Sequence, residues 1–213
     1  MKTMIALIAA GLVLVAAPAA SAQKNQPGSL TLRASADLVK FGAVITLSGK
    51  LTGPNSDGKT VQVQEDPFPV GDFTNLGSVT TNAQGDWTLS HQPPVNTRYR
   101  ARQGGNESQI ETVNVRPAIS LRVSDSTPSA GQRVRFSGRL CPEHDGATLA
   151  LQRRRADGSW RTVRSMTLQA DASTCSTYSR RLRVRRDGVY RSNFGGDADH
   201  AAGPSPRRRL NVG

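Results

Sequence analysis

Aromatic residues make up 5% of this 213-residue chain, and it holds only two cysteines and three histidines. No lysine occurs beyond Lys59. Each scarcity excludes something. Two cysteines are too few for a four-cysteine zinc framework or for a disulfide-dense small scaffold. They do not form a C-x-x-C pair, which removes a thioredoxin-like redox centre. There is no G-x-S-x-G and no H-E-x-x-H, and His91, His144 and His200 are scattered. No nucleophile with its base can therefore be read from spacing. Paired carboxylates for glycoside hydrolysis would need a cleft, and nothing in the pattern below builds one. The chain reads as non-enzymatic, with no catalytic residues and no cofactor.

Long apolar runs are also scarce. The one present is MKTMIALIAAGLVLVAAPAASA, with Lys2 before an apolar core from Met4 to Val15 and a small-residue end at Ala20-Ser21-Ala22. This three-part layout is that of a secretory signal peptide, expected over residues 1–22 and cleaved before Gln23. No cysteine follows that site to carry a lipid, and no second run approaches the roughly 20 residues of a membrane-spanning helix. The expectation is a secreted or extracellular protein, free or associated with the cell wall.

What is abundant is arginine, and it is unevenly placed. From Gln23 to Pro117 there are nine basic and eight acidic residues, a net charge of +1. From Ala118 to Gly213 there are eighteen basic residues, all arginine, against eight acidic ones, a net of +10.

Self-comparison shows a repeat. GAVITLSGKL from Gly42 matches GQRVRFSGRL from Gly131, and DGKTVQVQ from Asp57 matches DGATLALQ from Asp145. TRYRARQGGN from Thr97 matches GVYRSNFGGD from Gly188. The landmarks recur in the same order about 90 residues apart, with a joint at Arg116-Pro117-Ala118. Period-two alternation in short runs, broken by Gly, Asp, Asn and Pro, predicts antiparallel strands and no helix. Residues 23–117 and 118–213 are expected as two domains.

The landmarks G-x-x-V/I-x-L/F-S-G-x-L, V-x-V-Q, D-W-T-L after N-A-Q-G, and Y-R-A-R-x-G-G resemble the bacterial immunoglobulin-like repeats of secreted and surface proteins. The resemblance implies an all-β fold of two tandem immunoglobulin-like antiparallel β-sandwiches. It does not imply one function, since such modules act as spacers, adhesive units and appendages of enzymes. With strands lettered A to G, Cys141 lies just past the end of B and Cys175 just before E. B and E are antiparallel neighbours in such a sandwich, so a Cys141–Cys175 disulfide is expected within the second domain.

The same lettering assigns the arginines. If Val134 and Phe136 of strand B and Leu182 and Val184 of strand E face the core, Arg133, Arg135, Arg181, Arg183 and Arg185 face out. Arg122 on strand A joins them. These six form a candidate anion-binding face for an anionic cell-envelope polymer, with a solvated face as the plain alternative. Nucleic acid is disfavoured by the export signal and by the lack of interleaved aromatics. A protein partner, held by the loops, is the other reading. Arg153-Arg154-Arg155 and Arg207-Arg208-Arg209 are expected as solvated turn flanks.

Two loops hold the remaining polar candidates. Pro142-Glu143-His144-Asp145 and Asp197-Ala198-Asp199-His200 fall at the same end of such a sandwich and would bring imidazoles and carboxylates together. Their spacing matches no known ligand frame, and Asp and His are ordinary turn residues, so no metal is assigned. Trp87 with Tyr178, and Tyr99 with Tyr190, are expected as equivalent core aromatics. His91 is expected as a partly buried packing residue. Phe73 and Trp160 also correspond, with sugar stacking as a minor alternative to packing.

Overall fold

The computed structural model describes residues 28–213; the expected signal peptide lies outside them. The described residues are all β, with no helix. Up to Arg116 the strands are β1 (Arg33–Ala34), β2 (Leu38–Lys40), β3 (Ile45–Lys50), β4 (Thr60–Pro67), β5 (Thr74–Thr80), β6 (Asp86–His91), β7 (Thr97–Gln103), β8 (Asn106–Glu107) and β9 (Glu111–Arg116). From Ala118 they are β10 (Ala118–Ile119), β11 (Arg122–Val123), β12 (Arg133–Cys141), β13 (Thr148–Arg154), β14 (Trp160–Thr167), β15 (Gln169–Ala170), β16 (Ser176–Arg183), β17 (Gly188–Phe194), β18 (Gly203–Pro204) and β19 (Arg208–Leu210).

Each half contributes two sheets. The first half has β1-β3-β6 and β2-β9-β7-β4-β5, with β8 also on β7. The second has β10-β12-β16-β15, with β11 also on β12, and β14-β13-β17-β18, with β19 also on β17. All pairs are antiparallel except β2 with β9. One apolar cluster runs from Leu30 to Val113 and the other from Ile119 to Leu210, so each half buries its own core.

Alternation produces these cores directly. On β12, Val134, Phe136 and Leu140 are fully buried while Arg133, Arg135 and Arg139 are exposed. Across the ladder Val134 faces Leu182, so the two strands point their apolar sets inward together.

The S-G-x-L landmark has a steric cause. Gly138 lies opposite Tyr178, and a Cβ there would sit 2.1 Å from the Ser120 carbonyl and 2.6 Å from the Tyr178 hydroxyl. Gly49 lies opposite Trp87 in the same way, with the Thr31 carbonyl at 1.9 Å. Only glycine lets the aromatic ring lie across its neighbour. A second shared device is polar. Arg100 Nε donates to Gln64 Oε1 at 2.7 Å, and Arg191 Nε donates to Gln152 Oε1 at 2.8 Å.

The cysteines meet as expected: Cys141 and Cys175 are bonded, with Cα atoms 4.4 Å apart. Cys141 is the last residue of β12 rather than just past it. Leu140 pairs with Ser176 there, which leaves the two cysteines side by side.

The halves touch where the Asp197–Ala201 loop of the second meets a loop and strand β9 of the first. The Asn96 N–H donates to the Asp199 carbonyl at 2.8 Å, and the Ala201 N–H donates to Val115 O at 2.8 Å. His200 is 1% exposed, and its Nε2 lies 3.0 Å from Pro94 O.

Candidate functional site

Two clusters carry chemistry, and the first is the arginine face. The β12–β16 register sets Arg133 opposite Arg183 and Arg135 opposite Arg181, all four exposed. Arg122 pairs with Ser137 on the neighbouring β11, and so shares that face. Arg185 is exposed but lies in the loop after β16, not on the strand as the alternation suggested. None of these six forms an ion pair among the described residues; the arginines that do are Arg98, Arg100, Arg102 and Arg139. Like charges directly opposite one another are unfavourable, so the face is held at an electrostatic cost.

The face does not stop at the sheet. A groove of about 580 Å³ opens between β16 and β14, lined by Arg133, Arg181, Arg183 and Arg185 together with Arg153, Arg164 and Arg186. Val163, Leu182, Val184 and Tyr190 supply its apolar lining. Sequence reasoning missed the last three arginines because they reach the groove from the other sheet or from the loop. Arg153 is half-buried rather than a solvated flank. Its Nη2 donates to the Asp187 carbonyl at 2.5 Å, and its Nε has no partner. Arg154, Arg155, Arg207, Arg208 and Arg209 are exposed, as expected of flanks; Arg208 Nε also donates to Leu121 O at 2.8 Å, and Arg207 lies 5.6 Å from the Trp160 ring centroid.

Trp160 and Phe73 are partly buried, each with a guanidinium over its ring. Arg191 lies 4.2 Å over the Trp160 ring and Arg100 4.2 Å over Phe73. A guanidinium thus packs against each ring as a cation–π partner. Trp87, Tyr99, Tyr178 and Tyr190 are buried in the cores. Burial pushes the pKa of the Tyr178 hydroxyl up to about 12. His91 packs edge-on against Tyr99, with ring centroids 5.8 Å apart, and its side chain is 18% exposed.

The second cluster joins the two loops. The ligand-type atoms of His144, Asp197, Asp199 and His200 all lie within 4.8 Å of one another. The His144 and His200 side chains are 5% and 1% exposed, and their rings stand 4.8 Å apart. His144 Nδ1 lies 2.9 Å from Pro142 O. A carbonyl only accepts, so the ring proton sits on Nδ1 and leaves Nε2 of the neutral ring as a lone pair. His200 is the mirror case: Nε2–H donates to Pro94 O, leaving Nδ1 free. His144 Nε2 is 3.3 Å from Asp197 and His200 Nδ1 is 3.4 Å from Asp199, yet neither nitrogen closes a hydrogen bond.

Burial, and then the adjoining Asp199, push the Asp197 carboxyl above its ordinary range. Asp199 is held below it, chiefly by hydrogen bonding with Asp197. Asp145, from the same loop as His144, stays outside the cluster and accepts from the Ser176 hydroxyl. That hydroxyl also receives the His144 N–H at 2.7 Å. The loop behind His144 is thereby tied to the strand that the disulfide fastens.

Compared with protein-family models and with curated proteins, the chain matches none. No helix among the described residues is long and apolar enough to cross a membrane.

Proposed function

We propose that this is a secreted, non-enzymatic protein of two tandem immunoglobulin-like sandwiches that docks on an anionic cell-envelope polymer through the arginine-rich second half. Two separate cores, each between two sheets, and the repeated Gly–aromatic and Arg–Gln devices support the tandem reading. The observation that carries the binding reading is the unpaired arginine set: two directly opposed pairs on β12 and β16, continued by Arg153, Arg164, Arg185 and Arg186 around a groove. Planar guanidinium forks suit phosphate, sulfate and carboxylate groups. A linear polymer fits a groove and a face that run together better than a compact anion does.

The test is retention on immobilised polyphosphate and on an anionic cell-wall preparation. The native protein is compared with a variant carrying Arg181→Gln, Arg183→Gln and Arg185→Gln. Retention that falls steeply with salt, and elutes at lower salt in the variant, supports docking by charge. Unchanged retention in the variant, or retention indifferent to salt, counts against it.

A further inference from the structure

We propose that His144, Asp197, Asp199 and His200 bind a zinc-class divalent cation, and that the bound ion is structural, bracing the loop on which the two halves meet. The proposal stands independently of the arginine reading. It starts from two buried imidazoles, each with a ring nitrogen that has no hydrogen-bond partner and lies beside a pair of carboxylates.

In a neutral ring protonated on its far nitrogen, the near nitrogen aims a lone pair at a carboxylate, which is repulsive unless something positive lies between. The far nitrogen of each ring is pinned to a backbone carbonyl, Pro142 O for His144 and Pro94 O for His200. That outer hydrogen bond is how metal-binding imidazoles have their tautomer and orientation set. The donor set is two nitrogens and two carboxylate oxygens. Calcium and magnesium prefer oxygen alone, whereas imidazole with carboxylate suits zinc.

The distances fit. A tetrahedral ion with bonds of about 2.0–2.1 Å holds its ligand atoms about 3.3–3.5 Å apart. His144 to Asp197 and His200 to Asp199 already stand at 3.3 and 3.4 Å, and His144 to Asp199 at 3.9 Å. Asp197 is already held, its Oδ1 accepting the His200 N–H at 2.9 Å while Oδ2 faces His144, so the remaining spread is closed by turning Asp199, whose side chain is 41% exposed. The histidines form a rigid floor, with Phe194 4.9 Å from the His144 ring and Phe41 6.4 Å from the His200 ring. The carboxylates form the rim by which an ion enters. Four protein ligands close a tetrahedron, the pattern of structural rather than catalytic zinc.

The consequence lies at the junction. The segment that supplies three of the four ligands also receives the Asn96 N–H on the Asp199 carbonyl and the Asn96 side-chain amide on the Ala198 carbonyl. Fixing that segment fixes the contact between the halves.

The experiment uses the full secreted chain, stripped with a chelator and titrated with zinc, with calcium and magnesium as controls. Stoichiometric zinc retained through gel filtration, a melting temperature raised by several degrees, and an X-ray absorption spectrum showing imidazole ligation are expected. Asp197→Asn and Asp199→Asn should each weaken zinc binding by more than about tenfold, with circular dichroism confirming an unchanged β fold. Failure of the native chain to retain zinc overturns the proposal, as does equal retention by both folded variants. If the variants do not fold, the native absorption spectrum decides alone: a spectrum without imidazole overturns the site. Calcium binding that zinc does not displace also overturns it.

Discussion

Arg135 and Arg181 stand directly opposite one another on antiparallel neighbours, both exposed on one face and neither ion-paired among the described residues. Their repulsion makes a prediction that is independent of any ligand. Arg181→Thr removes one charge and places a good strand former at the site. At low ionic strength it should stabilise the protein on the order of 0.5 kcal/mol, with the gain fading as salt screens the pair. Denaturant unfolding of both proteins at low and high salt measures this. Loss of stability at low salt would mean that the pair already has a counterion.

Gly138 should tolerate no side chain. Its Cβ would meet the Ser120 carbonyl, a backbone atom in the link between β10 and β11, which is itself tied to β12 by the Ser120 N–H on Arg139 O. Gly138→Ala is expected to cost about 2 kcal/mol or more, in the range of overpacked cores. Tyr178→Phe in the same background should restore little, because the tighter clash is with backbone. Equilibrium unfolding of the single and double variants checks both statements.

Reduction of Cys141–Cys175 opens a link between residues 34 apart in sequence. The chain-entropy model puts its worth at about 3–4 kcal/mol. The loss should fall on the second half, whose core it ties, and leave the first-half transition in place. Calorimetry with and without reductant, following two transitions, provides the check.

Asp66 sets an acid limit on the first half. It is 1% exposed, accepts the Gly71 N–H at 2.8 Å and is paired with Arg98. Burial pushes its carboxyl up, but the Gly71 amide and the Arg98 guanidinium outweigh burial and leave it below the ordinary range. A depressed folded value means that the stabilisation is complete above the unfolded value of about 3.9 and is lost as pH falls through the folded one. Asp66→Asn should therefore destabilise at neutral pH, by about 2 kcal/mol for a charged hydrogen-bond partner. It should also flatten the loss of stability below about pH 4. Unfolding free energy measured from neutral to acid pH in both proteins distinguishes this from a uniform effect.

The sequence by itself determined the strands, their inward and outward faces and the meeting of the cysteines. Side chains in a strand alternate with period two, so Val134, Phe136, Leu182 and Val184 fixed where Arg133, Arg135, Arg181 and Arg183 point, and the resemblance to immunoglobulin-like sandwiches implied that their two strands are neighbours. Tertiary structure alone decided the rest. Alternation says which face a residue takes but not how two sheet edges approach, so Arg153 and Arg164 could not be placed beside Arg183 in advance. Loops have no period at all. That His144 and His200 share a floor, and that each keeps its free nitrogen toward Asp197 and Asp199, depends on Pro142 and Pro94 carbonyls supplied by packing. The arginines were legible because a sheet orders them; that the His144 and Asp197–His200 loops converge was legible from the sandwich topology, but which nitrogen faces which carboxylate was not, because only the packing of loops decides it.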